Sequence, residues 1–185
     1  MNTRKPFFSV LIPTYNRAYI LPLAIKSVLQ QTYDDFELIV CNSASTDNTR
    51  EVVEEFNDKR IKYFESDKVL SMGDNYEFAL DQAKGEYIIF FSDDDAFVPT
   101  LLEKVKNVIE HTNTKMLVFP FAQYSHNDTS GHYKSIKENS LLCPKFSRNI
   151  TKIKSSKAIE QLFGRPNLIN IPIDAKHVTP LIGNV

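Results

Sequence analysis

The chain has 185 residues, enough for one domain with a full-sized core, and its 42% hydrophobic and 24% charged shares are those of a soluble globular protein. No run approaches the roughly 18 apolar residues a membrane-spanning helix requires, and the apolar run from Phe7 is too short for a signal peptide. The net charge of −1 is unevenly spread: residues 1–120 carry 13 Lys and Arg against 19 Asp and Glu, which argues against nucleic acid as a ligand, whereas residues 121–185 carry 9 against 4.

Residues 7–12 form a short apolar run ended by Pro13, the signature of a buried strand. Asn16 is placed to cap a helix over residues 17–31, whose Ile20, Ala24, Ile25, Val28 and Leu29 make one apolar stripe. A second strand is expected at 36–40. Ser45 or Thr46 then caps a helix carrying Val52, Val53 and Phe56, and a third strand follows at 61–64. The third helix is read over 74–84, with Tyr76, Ala79, Leu80 and Ala83 on one face and Gly85 as a left-handed stop. Residues 86–91 are the strongest strand of the chain and run straight into Ser92-Asp93-Asp94-Asp95. Pro99 opens a fourth helix with Leu101, Leu102, Val105 and Val108 or Ile109 facing inward, and residues 116–121 read as a fifth strand.

Beyond residue 121 the pattern weakens. Residues 126–132 read as a turn, 134–154 are polar and irregular, and 155–163 form a short helix closed by Gly164. The chain is therefore read as an α/β half over 1–121 and the start of an acceptor-side region over 122–185. It stops at Pro180-Leu181-Ile182-Gly183-Asn184-Val185, in what looks like the middle of a domain, so a truncated chain is expected. The basic second part is either a solvated surface or a face for an anionic membrane or a lipid-linked acceptor. Cys41 and Cys143 stand far apart without metal-ligand spacing and read as reduced thiols. The expected location is the cytoplasm, with association on the cytoplasmic face of a membrane as a variant of that reading.

Strands alternating with helices imply an open, mostly parallel sheet with helices on both faces. Such sheets bind ligands at the carboxyl ends of their strands. Pro13-Thr14-Tyr15-Asn16 and the triple aspartate both lie at strand carboxyl ends and are candidates for one site. Three adjacent carboxylates raise one another's proton affinity unless a cation neutralises them. Mg²⁺ or Mn²⁺, held by one or two carboxylates and phosphate oxygens, would do so. The alternative is a solvated loop whose Asp95 caps the following helix.

Four segments, taken in order, resemble the inverting family 2 glycosyltransferases of the GT-A fold. They are Ser9-Val10-Leu11-Ile12-Pro13-Thr14-Tyr15-Asn16-Arg17, the stretch 24–33, Ala44-Ser45-Thr46-Asp47-Asn48-Thr49, and Asn75, Ala79, Ala83 and Gly85-Glu86-Tyr87-Ile88 ahead of the acidic loop. The resemblance covers roughly residues 7–121. It implies that Asp94, five residues before Pro99, ligates the metal with support from Asp95, and that Asp93 contacts the ribose or a metal-bound water. It implies that Tyr15 stacks on the nucleobase, with Pro13 and Thr14 offering further contacts, and that Arg17 reaches a phosphate; a solvated Arg17 is the other reading. The family usually has two acids after the second strand. Here they are Asn42 and Ser43, which can still accept hydrogen bonds from a base but carry no charge.

Inverting transfer also needs a general base to deprotonate the acceptor hydroxyl. After residue 121 the acids are Asp128, Glu138, Glu160 and Asp174, none in a matching motif; Asp174 is the best placed. The expected activity is metal-dependent transfer from a nucleoside-diphosphate sugar to a sugar or lipid-linked acceptor, in polysaccharide, glycolipid or glycoprotein precursor synthesis. By itself the 185-residue stretch is expected to bind the donor without measurable transfer. Two alternatives remain: a sugar-1-phosphate nucleotidyltransferase, although the first loop lacks that class's glycines, and a non-catalytic donor-binding module.

Overall fold

The computed structural model describes residues 4–115 and 117 and three short strands at 123–124, 141–142 and 178–179. The chain divides into two compact units, Met1–Val118 with Ile173–Val185, and Phe119–Pro172. In the first unit β1 (Phe8–Thr14), α1 (Leu21–Leu29), β2 (Phe36–Asn42), α2 (Thr49–Glu54), β3 (Ile61–Glu65), α3 (Met72–Gln82), β4 (Tyr87–Phe90) and α4 (Leu101–Thr112) follow one another. In the second, β5 (Gln123–Tyr124) and β6 (Leu141–Leu142) pair antiparallel. The chain then returns to the first sheet as β7 (Val178–Thr179), which pairs with β4.

The main sheet has the order β3-β2-β1-β4-β7, and all of its pairs are parallel. The chain steps outward from β1 through β2 to β3, then crosses to the other side of β1 to lay down β4. This reversal creates a crevice between the carboxyl ends of β1 and β4, the usual ligand position in an open parallel sheet.

Burial on both faces explains why β1 and β2 read as unbroken apolar runs. On one face Leu11, Ile39, Cys41 and Ile88 pack with Ala79 of α3, ringed by Phe64, Phe78, Leu80, Ala83 and Phe90. On the other, Phe8, Val10, Ile12, Leu38, Val40 and Ile89 are buried, and α1 (Leu21, Ala24, Ile25, Val28) and α4 (Leu102, Val105, Ile109) each carry a buried stripe. Each such side chain contributes about 1.5–3 kcal/mol when fully buried. The exit of α1 is fastened to the start of α4, since Gln31 Oε1 accepts from Leu102 N at 3.0 Å and Gln31 Nε2 donates to the Val98 carbonyl at 2.9 Å.

Several local expectations are corrected. Asn16 does not cap α1, which begins only at Leu21 with Ile20 as its N-cap; residues 17–20 form a turn in which the Arg17 carbonyl accepts from the amides of Ile20 and Leu21. Neither Ser45 nor Thr46 caps α2. The N-cap is Asn48, and just ahead of it Asp47 Oδ1 accepts from Thr49 N at 3.2 Å and Thr49 Oγ1 at 2.5 Å. Phe56 lies beyond the end of α2. Helix α3 starts two residues early, because Ser71 Oγ accepts from Asp74 N at 3.1 Å. Pro99 and Asp95 both precede α4 without capping it, and the N-cap is Thr100.

Gly85 is not a left-handed stop either. The helix has already ended at Gln82, with Ala83 extended at φ −72° and ψ 135°. Glycine is required at 85 for space: a Cβ there would lie 2.5 Å from Ser9 N and 2.7 Å from the Phe8 carbonyl carbon. At this amino end of the sheet, Ser9 Oγ and Lys84 N both donate to Glu37 Oε1, at 2.6 and 2.7 Å, and Gly85 N donates to Ser9 Oγ at 2.8 Å. The expected strand at 116–121 (apart from Leu117), the turn at 126–132, the helix at 155–163 and Asp174 lie outside the described residues.

Candidate donor-binding site

The carboxyl ends of β1 and β4 converge as the alternation of strands and helices requires. Thr14, the last residue of β1, donates through Oγ1 to Asp93 Oδ2 at 2.8 Å. Arg17 Nη1 lies 2.7 Å from Asp94 Oδ2 and 3.4 Å from Asp93 Oδ1. The other oxygen of Asp94, Oδ1, accepts from the Ser92 hydroxyl. Two loops some 80 residues apart in sequence thus form one polar cluster.

The charges in this cluster are not balanced. Asp93 is 7% exposed, and burial raises its proton affinity, opposed by the Thr14 hydroxyl and the Arg17 charge. Burial, joined by the charges of Asp94 and Asp93, likewise raises that of Asp95. Burial acts on Asp94 in the same direction, but the hydrogen bonds from Ser92 and Arg17 outweigh it, leaving its pKa below the usual carboxylate value. The Arg17 guanidinium, although partly desolvated, is held more firmly protonated by Asp94 and Asp93. One cation therefore faces three carboxylates.

The β1 exit loop is stitched to the loop after β2. Asn16, at φ 53°, accepts from Thr46 N through Oδ1 at 2.8 Å, and its own amide donates to Ser45 Oγ at 2.8 Å. Ala18 N donates to Asp47 Oδ2 at 3.0 Å. These bonds fix the loop that presents Tyr15, whose side chain is left 44% exposed. Pro13 is half-buried within β1.

Asn42 and Ser43 follow the same strand edge but are buried and engaged within the protein. Asn42 Oδ1 accepts from Ser45 N at 3.1 Å and its Nδ2 donates to Tyr63 Oη at 2.8 Å; Ser43 Oγ accepts from Leu70 N at 2.6 Å. Sequence reasoning missed Tyr76 as a neighbour of the acidic loop. Burial raises its proton affinity first, and the charges of Asp93, Asp95 and Asp94 add to this, while its ring stands edge-on to Phe90 at 5.3 Å. Its place one residue after Asn75 was the available signal. Asn75 itself is buried, donating to the carbonyls of Thr14 and Cys41 at 3.4 Å each, with Oδ1 unpartnered among the described residues.

Whether a divalent cation suits this donor set can be judged from the chemistry of its oxygens. Three carboxylates supply the hard ligands that Mg²⁺ or Mn²⁺ prefers. Burial first, and the neighbouring carboxylates after it, raise the proton affinities of Asp93 and Asp95, and a bound cation would favour their charged forms. Among the described residues no three acidic, His or Cys side chains are arranged to hold a metal by themselves. Phosphate oxygens and water would complete the shell, which is common for Mg²⁺. The residues fit the group.

A twisted parallel sheet with a fixed aromatic loop on one side of its crevice and an acidic loop on the other defines an α/β domain suited to a nucleotide-like polyanion and a cation. The chain belongs to glycosyl transferase family 2, whose model matches residues 9–166. It is 32% identical over 134 residues to an Escherichia coli UDP-Glc:alpha-D-GlcNAc-diphosphoundecaprenol beta-1,3-glucosyltransferase, covering 72% of this chain and 48% of that protein. It is 37% identical over 120 residues to a Campylobacter jejuni GalNAc(5)-diNAcBac-PP-undecaprenol beta-1,3-glucosyltransferase, covering 61% of this chain and 39% of that protein. The chain thus spans less than half the length of these relatives. Among solved structures, S. aureus TarS in complex with UDP-GlcNAc superposes with a TM-score of 0.59 at 26% identity, covering 66% of this chain and 35% of that one. The fold is accordingly GT-A.

Proposed function

We propose that the chain is the donor-binding part of a metal-dependent inverting glycosyltransferase that takes a uridine-diphosphate sugar and transfers the sugar to a lipid-linked acceptor at the cytoplasmic face of a membrane. The observation that carries this is the meeting of the Thr14–Arg17 loop with Asp93 and Asp94 at the crevice between β1 and β4. The activities by which the two glucosyltransferase relatives are named support the donor and acceptor classes. Among the described residues no helix is long and apolar enough to cross a membrane.

In this reading the Tyr15 ring stacks on the base, the Thr14 hydroxyl and Asp93 face the ribose, and Arg17 meets the diphosphate. Pro13 shapes the same edge, and Asn42 and Ser43 serve the base through the loop they hold in place. Asp94 and Asp95 would hold the cation, which when bound supplies Lewis-acid stabilisation of the diphosphate leaving group. These side chains hold the donor's anomeric carbon still for attack, and orientation of this kind is a large share of catalysis by such sites. Asp174 remains the proposed base.

The test is calorimetric titration of UDP, GDP and CDP into the chain with and without Mn²⁺. UDP binding that requires Mn²⁺ is the expected result. Equal binding of all three, or none with Mn²⁺, would refute the donor assignment. Assay of the full-length natural protein with UDP-sugars and polyprenyl-diphosphate acceptors then separates an enzyme from a binding module.

A further inference from the structure

Both oxygens of Asp94 are engaged: Arg17 Nη1 lies 2.7 Å from Oδ2, and the Ser92 hydroxyl donates to Oδ1. A divalent cation arriving alone must compete with a charge-assisted hydrogen bond of the stronger kind, and it would sit beside the guanidinium, two positive charges in a partly buried crevice. On the donor-binding reading above, we infer that Arg17 is a placeholder cation, holding Asp94 until a diphosphate draws the guanidinium away, so that metal and diphosphate bind as a coupled pair.

The exchange is chemically matched. The planar guanidinium fits phosphate oxygens as well as it fits a carboxylate. When it turns to the diphosphate, Asp94 passes to the cation and keeps a positive partner. The movement asked for is small. The Arg17 side chain is 43% exposed, while its backbone carbonyl is tied to the amides of Ile20 and Leu21. Only the side chain needs to swing. Reciprocity follows from linkage: if diphosphate tightens the cation, the cation tightens the diphosphate by the same factor.

The two steps separate in a titration of Mn²⁺ alone, followed by one with saturating UDP, for the unsubstituted chain, Arg17→Met and Arg17→Lys. Arg17→Met should bind Mn²⁺ alone about fivefold or more tightly than the unsubstituted chain and bind UDP in Mn²⁺ more weakly, within the range of ordinary site-to-site coupling. Arg17→Lys, which keeps the charge, should stay close to the unsubstituted chain for Mn²⁺ alone. In an Asp94→Asn background the Arg17→Met change should no longer alter Mn²⁺ binding. Unchanged or weaker Mn²⁺ affinity in Arg17→Met would overturn the placeholder role while UDP binding left the donor reading standing. Loss of all Mn²⁺-dependent UDP binding in the unsubstituted chain would remove both. A melting curve for each variant confirms that folding is retained, since Arg17 has no part in the apolar core.

Discussion

Two buried carboxylates of nearly equal exposure, Glu37 at 8% and Asp93 at 7%, stand at opposite ends of the same sheet. At the amino end Glu37 is satisfied by Ser9 and Lys84, and Gly85 closes the arrangement with no room for a methyl group. At the carboxyl end Asp93 has Thr14 and a share of Arg17, with Asp94 and Asp95 adding like charge beside it. The first arrangement is complete within the protein. The second sets three carboxylates against one guanidinium, the imbalance on which the donor-binding proposal rests.

Substitutions should separate the two ends. The largest effect is expected from Gly85→Ala, because the added Cβ meets backbone atoms that cannot rotate away; about 3 kcal/mol of stability should be lost, read by urea unfolding. A change under 0.5 kcal/mol would show that the amino end is looser than described. Next, Asp94→Asn should reduce Mn²⁺-dependent UDP affinity by tenfold or more, about 1.4 kcal/mol at the least, with little change in melting temperature. Equal calorimetric affinities would break the assignment of that end to metal binding.

Tyr15→Ala should weaken UDP binding by about 1–3 kcal/mol, by analogy with base stacking elsewhere, and leave the fold intact because the ring is exposed. A variant that keeps its affinity but melts several degrees lower would make Tyr15 a structural residue. A matched pair then sharpens the contrast. Glu37→Gln should cost about 1.5–3 kcal/mol of stability, the scale of one hydrogen bond to a charged group, and spare UDP affinity. Asp93→Asn should do the reverse. Its raised pKa means that ionisation opposes folding at neutral pH, so removing the charge should leave stability unchanged or higher while binding falls.

The smallest effect belongs to Asp58, whose pKa is lowered chiefly by the hydrogen bonds of Arg60. A depressed carboxylate stabilises the fold above its unfolded pKa, near 3.9, and loses that contribution as pH falls through the lower folded value. Asp58→Asn should therefore cost about 0.5–1 kcal/mol at pH 7, with the gap closing below about pH 4 in acid-unfolding curves. A gap independent of pH would mean that the contact is steric.

Much of this arrangement is legible in the residues themselves. The buried strands, the α3 face around Ala79 and the acidic loop follow from periodicity and from three consecutive aspartates. What escaped has identifiable physical causes. Asn16 carries a capping side chain, but its φ of 53° turns that side chain toward Thr46, a partner 30 residues away. Gly85 follows a helix, where glycine commonly ends the turn, yet here it is needed for contact with β1, and sequence does not distinguish the two uses. Asn42 and Ser43 stand at the carboxyl end of β2, but their hydrogen bonds to Tyr63 and Leu70 depend on loop closure that no local pattern encodes. For Arg17 the sequence offers a phosphate or solvent as partner; its partner in the structure, Asp94, was not legible.

The pairing of β4 with β7 sets a timetable for synthesis. Ile88 lies beside Val178, so the outer edge of the strand that leads into the acidic loop stays open while the intervening 90 or so residues are made. At a ribosomal pace of about 5–20 residues per second that interval is roughly 5–20 s, far longer than hairpin or helix formation. Throughout it the nascent chain presents an unpaired strand edge, the kind of surface on which other chains add. Expression of this protein should accordingly respond to chaperone supply more strongly than its core packing alone would suggest.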